Sequence, residues 1–336
     1  MIARIHILLP FALTVPEKEQ YPIYEYVVDD YRIRIYPPEK SEKADIYTDA
    51  EDIKINGVTA FNADVLRIDF QKENFNRTES SELDPPPELI NGIANDFLAC
   101  LRYVANASKV KMIEFPNVNW NIKYLNDDET ELLEEKGYVR GKGGRKFQYS
   151  YVALNKEVWE DVHSILPGKN LPVWKTLLLD ANSVLPEIGP AIILTFTALE
   201  VFISKTLDDL AASSEINNDL WEWINKRGYL KDPSIEEKYD FLSHYLIGSS
   251  IKENNDLWEP FKHLRKARNS FAHDGIAMVG IDHVTEEKAR FFIIKANEII
   301  DSIKNEIPEK LRWPEFKHEI KLEFSHMLVK PERECS

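Results

Sequence analysis

The sequence predicts an α+β domain followed by an all-α helical bundle, and three observations carry that reading. Segments rich in β-branched and aromatic residues dominate before residue 165. After it, apolar residues recur at a helical period. Between the two lies "LPGKNLP" (166–172), a stretch of turn residues. A chain of 336 residues, 43% hydrophobic and 11% aromatic, has enough apolar material for two cores and too much for general disorder. The expected division is 1–165 for the α+β domain, 166–310 for the helical domain and 311–336 for a tail. Within that tail, "WPEFKHEIKLEFSHML" has the pattern to return a strand to the first domain.

The strands come first. "ARIHILLPFALTV" places Arg4 ahead of an apolar run, as a signal peptide does, but "PEKEQYP" follows at once without a small-residue cleavage site, so a buried strand is expected. "IYEYVVDDYRIRIY", "VTAFNADVLRIDF", "NWNIKYL" and "KFQYSYVAL" alternate or cluster strand-forming residues, separated by turns such as "YPPEK", "INGV" and "GKGG". "DPPPELINGIANDFLACLRYVAN" opens on prolines and sets Leu89, Ile93, Phe97, Leu98 and Leu101 near a 3.6 period, which predicts a helix. "DDETELLEEKG" predicts a short acidic helix ending at Gly137.

Helices are expected over 171–186, 189–212, 217–227, 234–247, 256–273 and 285–306. Pro172, Pro190, Pro233-Ser234 and Thr285-Glu286-Glu287 supply start signals. The last helix places Ala289, Phe292, Ile293, Ala296, Ile299, Ile300 and Ile303 on one face, and short connections suit a compact bundle. The most apolar run, "AIILTFTALEVFI" (191–203), falls short of the roughly 20 residues a membrane span needs. A soluble, cytoplasmic protein with no membrane partner is expected.

The residue inventory excludes several chemistries. Cys100 and Cys335 cannot build a disulfide framework or a zinc site, and the eight histidines include no HExxH. No phosphate-binding or dinucleotide-binding glycine motif is present, so neither a metal nor another cofactor is expected. With a net charge of −15 and neither half basic, any polyanion contact must be local.

One local exception stands out. "FKHLRKARNSFAHDG" gathers Lys262, His263, Arg265, Lys266, Arg268 and His273 with no acid among residues 262–273. A basic last turn that complements the helix dipole is the plain explanation. The chemical one is a phosphodiester site. Arg268 offers a charged planar fork for phosphate oxygens, and His273 can take or give a proton near neutrality. Such a pair cleaves RNA without metal when the ribose 2′-OH attacks its own phosphate. Arg268 and His273 are five apart, about 140° on an ideal helix. They converge only if the helix frays at His273, if Arg268 reaches round, or if two chains each contribute one of them.

Arg268, Asn269 and His273, late in a helical domain, together with "LTFTALEVFISKTLDDLA" (194–211), "SIEEKYDFL" and the long helix after "DHVTEEKAR", resemble the HEPN family. The resemblance covers roughly the second half of the chain. It implies a homodimer with a composite cleft and metal-independent endoribonuclease activity, often as a toxin or in defence against phage. Arg268 would hold the phosphate, His273 would be the acid and base, and Asn269 would orient one of them or the substrate. The first domain would then sense a trigger or restrain the nuclease, with a regulatory trigger or an antitoxin as a further partner. The alternative is a non-catalytic HEPN-like module for dimerisation or for nucleotide or RNA binding, with His273 capping its helix and Arg268 paired to an acid such as Glu200.

Glu200 is the only ionisable residue from 191 to 204, so it needs a partner or a function. Lys262, Arg265 and Lys266 are candidate RNA contacts. "YVRGKGGRKFQY" (138–149), with Arg140, Lys142, Arg145 and Lys146, fits an exposed hairpin turn better than a phosphate loop. "EDIKI" (51–55) and "HEIKL" (318–322) have the acid–x–Lys spacing of metal-dependent nucleases but no partnering acidic strand.

Overall fold

The computed structural model describes residues 1–40, 53–72, 85–131, 136–138, 152–166, 171–214, 216–225 and 232–324. The chain is mixed α+β and divides into two compact units, Met1–Lys169 with Phe316–Ser336, and Asn170–Glu315.

The first unit is built on an antiparallel sheet. Strand β1 (Ile2–Pro16) lies between β5 (Val58–Lys72) and β6 (Trp120–Leu125). Beyond β5 come β3 (Tyr31–Ile35) and then β2 (Tyr24–Val28), joined as a hairpin. The far end of β5 turns through Asn56 and Gly57, both at positive φ, into β4 (Ile53–Ile55), the tight turn that an Asn-Gly pair favours. Beyond β6 lies β7 (Lys136–Tyr138), while β8 (Val152–Ala153) runs parallel to the second half of β1. The β1–β5 register slips between Leu8 and Leu13, the stretch that contains Pro10. Proline cannot donate to a ladder, so a bulge accommodates it there. From the tail, β11 (Leu322–Phe324) pairs antiparallel with β4.

Alternation decides the two faces. Ile5, Ile7, Ile33, Ile35, Ile68, Phe70, Ile122 and Tyr124 are buried on one. Helix α1 (Pro87–Val104) and helix α2 (Lys156–Ile165) pack there, where Trp159 meets Phe97 and Tyr24. The sequence reading missed α2. Its signals were present: Asn155 accepts a hydrogen bond from the Val158 N–H, and Val158, Trp159, Val162 and Ile165 keep a helical period. The opposite face carries Arg4, His6, Arg32, Arg34, Arg67 and Asp69. Asp69, 1% exposed, accepts two hydrogen bonds from Arg4 and one from the Tyr36 hydroxyl, and Arg67 lies 3.7 Å away.

The expected acidic helix over "DDETELLEEKG" is not what the described residues form. Asp127 and Asp128 sit in a turn, Glu131 bridges back to Leu125, and Gly137 lies in β7. A partner strand in reach overrides local helix propensity. Residues 139–151 lie outside the described residues.

The second unit holds α3 (Val173–Val184), α4 (Ile188–Ser213), α5 (Asn218–Asn225), α6 (Ile235–Glu237), α7 (Ser243–Ile247), α8 (Asn255–Asp274) and α9 (Glu286–Glu306). It departs from an all-α reading at one place: Met278–Val279 and Asp282–His283 form a small hairpin, β9 and β10, after α8. A π-helical turn, Lys238–Leu242, separates α6 from α7. Helix α4 is central and packs against α3, α8 and α9, burying Ala191, Ile192, Phe196, Leu199, Phe202 and Ile203 among other residues. At 26 residues it is longer than its apolar run and, by length and composition, could cross a membrane, but half of its most apolar window is buried within the unit.

Two predictions follow from the first unit. Asp69→Ala strands Arg4 and Arg67 without their shared acid and should cost about 3–5 kcal/mol in denaturant unfolding, whereas Glu129→Ala, at the exposed end of the same network, should cost under about 1 kcal/mol. Comparable losses would disprove the central role of Asp69. His163 is 7% exposed, stacks on Tyr24 at 3.8 Å, and is pushed by burial from 6.5 down to about 3. Its unfolded imidazole takes up a proton below about pH 6.5 while the folded one stays neutral, so acidification from there toward pH 3 favours unfolding. His163→Phe should therefore flatten the fall in melting temperature with pH, and an unchanged slope would refute it.

Candidate functional site

Helix α8 carries the predicted site. Asn254 caps it by accepting from the Asp256 N–H, and Leu257, Phe261, Leu264 and Ala267 bury one stripe against the core. Gly275, left-handed at φ 72, ends it by donating its N–H to the Phe271 carbonyl at 2.9 Å. The helix runs through His273 to Asp274, so the fraying at His273 that would bring it to Arg268 does not occur.

Helical phase then sorts the motif. Lys262, Lys266, Asn269 and His273 fall within about 60° of one another, on the side away from the buried stripe. Accordingly Lys266, Asn269 and His273 are exposed and Lys262 is partly so. Arg268 sits at the edge of the buried stripe, about 140° from His273. Its guanidinium lies 5.6 Å from the centre of the Phe196 ring, and its Nη1 donates to Asn269 Oδ1 at 3.2 Å. Arg268 and His273 do not meet within one chain.

The intervening residues are structural. Ser270 Oγ donates to the Ile276 carbonyl at 2.8 Å and so ties the helix end to the segment leading into β9. Phe271 packs so closely on Gly189 that a Cβ there would come within 2.0 Å of the ring. What remains for chemistry is Arg268, Asn269 and His273.

The Arg268–Glu200 ion pair of the non-catalytic alternative is not made among the described residues. Among the described residues Arg268 has no carboxylate partner, and half-buried Glu200 has no hydrogen bond or ion pair. The Tyr239 phenol donates to the Leu199 carbonyl at 3.0 Å and is raised first by its burial and then by the charge of Glu200. Of the three candidate RNA contacts, Arg265 is held by Glu236 at 2.6 Å and Lys262 by Glu259 at 2.6 Å. Lys266 makes no ion pair among the described residues. Half-buried His263 is pulled down by desolvation first and then by Lys288 and Lys266, so it stands neutral among cations.

The weaker candidates resolve differently. Among the described residues no cluster of three or more His, Cys, Asp or Glu could hold a metal ion. In "HEIKL", Lys321 pairs with Glu323 at 2.8 Å and His318 lies 3.2 Å from Asp161. The first two residues of "EDIKI" and the basic stretch after Tyr138 lie outside the described residues. Cys100 is buried, and burial pushes its thiol up to about 12, so it is no nucleophile. Sequence reasoning did not find Glu236, Phe196 or Gly189 as neighbours of the motif. A single chain gives no signal for which helices face one another.

Comparison with protein-family models, curated proteins and solved structures finds no match to this chain.

The Gly189–Phe271 contact is testable. Gly189→Ala should destabilise the protein by about 1–3 kcal/mol by overpacking, and Phe271→Ala in the same chain should relieve part of that loss. Strictly additive losses would show that the two do not touch.

Proposed function

We propose that the protein is a metal-independent endoribonuclease of HEPN type, acting in the cytoplasm as a toxin or phage-defence effector. One observation supports this most: among the described residues, Arg268 and His273, on the same helix, have no carboxylate partner, in a chain of net charge −15. A guanidinium left unneutralised in an acidic protein awaits an anion from outside. The HEPN-like sequence features of the second half supply the anion's identity, an RNA phosphodiester.

In this reading Arg268 holds the non-bridging phosphate oxygens and offsets the charge that builds on phosphorus. His273 accepts the 2′-OH proton as that oxygen bonds to phosphorus. The P–O5′ bond breaks, and the leaving oxygen takes a proton from water while His273 returns to water the one it accepted, giving 2′,3′-cyclic phosphate and 5′-hydroxyl ends. Asn269, already bonded to Arg268, keeps the guanidinium turned outward. The 140° separation on an unfrayed helix favours a site shared across a two-fold dimer, with Arg268 from one protomer and His273 from the other. The first unit then senses a trigger or restrains the second.

A second reading is a non-catalytic module for dimerisation or for nucleotide or RNA binding. The packing of Arg268 over Phe196 favours it, because a guanidinium seated on an aromatic ring already has a structural role.

Mixing separates these readings. Wild type should cleave RNA in EDTA and leave cyclic-phosphate ends, a 2′-deoxy substrate should be inert, and Arg268→Ala and His273→Ala should each lose at least about a hundredfold in rate. After subunit exchange, the two inactive variants together should regain partial activity, since one pairing is restored in each heterodimer. Proven exchange without recovery rejects the shared site, and inactivity of wild type on every RNA tested rejects the nuclease.

A further inference from the structure

Helix α8 is not alone in supplying uncancelled positive charge. Half-buried Lys288, in the first turn of α9, makes no ion pair among the described residues, and neither does Lys266. The backbone at Lys288 is fixed, because its N–H donates to the Thr285 hydroxyl at 3.2 Å. Its ammonium is fixed as well. Lys288 Nζ lies 4.6 Å from the centre of the Phe291 ring and 5.3 Å from that of fully buried Phe292. Two rings hold the charge in place without cancelling it.

The two lysines converge on one side chain. Helices α8 and α9 pack together, and half-buried His263 sits on the flank of α8 between its buried stripe and its exposed side. After burial itself, the groups that act on the His263 imidazole are Lys288, Lys266, Glu259 and Lys262. That is three cations against one acid, and the acid is already held by Lys262 at 2.6 Å. Lys288 from one helix and Lys266 from the other are left as like charges beside a neutral ring. Folding gains nothing from bringing them together, since like charges oppose it. Ala289, Phe292 and Ile293 already seat the start of α9 in the core.

The cluster shares a side of α8 with the candidate acid and base. Lys266 and His273 are seven residues apart, which places them within about 20° around the helix and about 10 Å along it. Both are exposed, and the helix is unbroken between them, so the spacing is fixed. The chemistry of the cluster selects its ligand. An ammonium is a compact point charge with three donors that turn to meet phosphate oxygens. His263, neutral between the two, adds an N–H donor without adding charge.

We propose that Lys266, Lys288 and His263 form a subsite for a second phosphate of the RNA strand, one that is bound and not cleaved. This rests on the nuclease reading for the identity of the strand. It deepens that reading by giving the strand a course, along the exposed side of α8 from His273 toward the start of α9. Two lysines add only a modest increment to affinity. What they fix is the register of the strand, as phosphate contacts do. No bond is made or broken at the subsite.

The test is binding by the full-length protein to a labelled, uncleavable 2′-O-methyl single-stranded RNA, by fluorescence anisotropy over a range of salt concentrations. Lys266→Gln and Lys288→Gln, which keep the aliphatic stems, should each weaken binding severalfold at low salt. Each should also make the slope of log affinity against log salt shallower by about 0.7, and the double variant by about 1.4. Lys266→Arg with Lys288→Arg should keep the wild-type slope. Lys205→Gln, at a lysine of α4 already paired with Asp209, should leave it unchanged. The imidazole of His263 gives a second readout by NMR. RNA should raise its titration midpoint in wild type, because a phosphate offsets the two cations, and should leave it unmoved in the double variant. An unchanged slope in the double variant, an equal change with Lys205→Gln, a His263 signal that ignores RNA, or no binding by wild type overturns the subsite. Cleavage assayed in parallel keeps the two ideas apart. Cleavage by a protein whose RNA binding ignores both lysines removes only the subsite, and lysine-dependent binding by a protein that cleaves nothing removes only the nuclease.

Discussion

The second unit depends on the burial of α4. Its stretch from Ala191 to Ser204 is apolar on nearly every side, and it can be satisfied only by surrounding it. Helices α3, α8 and α9 do so, and each turns its own buried stripe inward. That requirement fixes which residues of α8 face out. Leu257, Phe261, Leu264 and Ala267 are committed to the core, so Lys266, Asn269 and His273 cannot be, and Arg268 falls at the boundary. Close approach near the start of α4, where Gly189 admits Phe271, holds the last turns of α8 in place. The candidate site is therefore a consequence of core packing in its position, although not in its chemistry.

Much of this was legible in the sequence, and the failures have physical causes. Strong periodicity identified α1, α4, α8 and α9, and Asn56-Gly57 marked a hairpin turn. Over Glu131 and Gly137, local acidity and helix propensity pointed to a helix, but strand β6 stood ready to pair with that segment. The hairpin at Met278–Val279 and Asp282–His283 is too short to leave a period of its own. The π turn is invisible in sequence because one extra residue per turn leaves the apolar pattern nearly unchanged.

The site was legible in composition and illegible in pairing. The clustering of cations around Arg268 needed no structure. That Arg265 belongs to Glu236, and that Glu200 does not belong to Arg268, depends on which helices lie side by side. The result reduces six clustered basic residues to a smaller set. Lys262 and Arg265 are neutralised, His263 is kept neutral by burial and by its neighbours, and Lys266, Arg268 and His273 are left.

A net charge of −15 constrains what so small a set can do. Beyond roughly 8 Å at physiological salt the remaining charges of the protein are screened, so they neither steer an RNA strand in nor repel it strongly at contact. Two uncommitted cations and one histidine cannot hold a polyanion by counterion release alone, because each phosphate contact adds only a modest increment to affinity. Affinity must then come from groups that act at short range and ignore ionic strength. On the nuclease reading, a binder built this way gains little from general basicity.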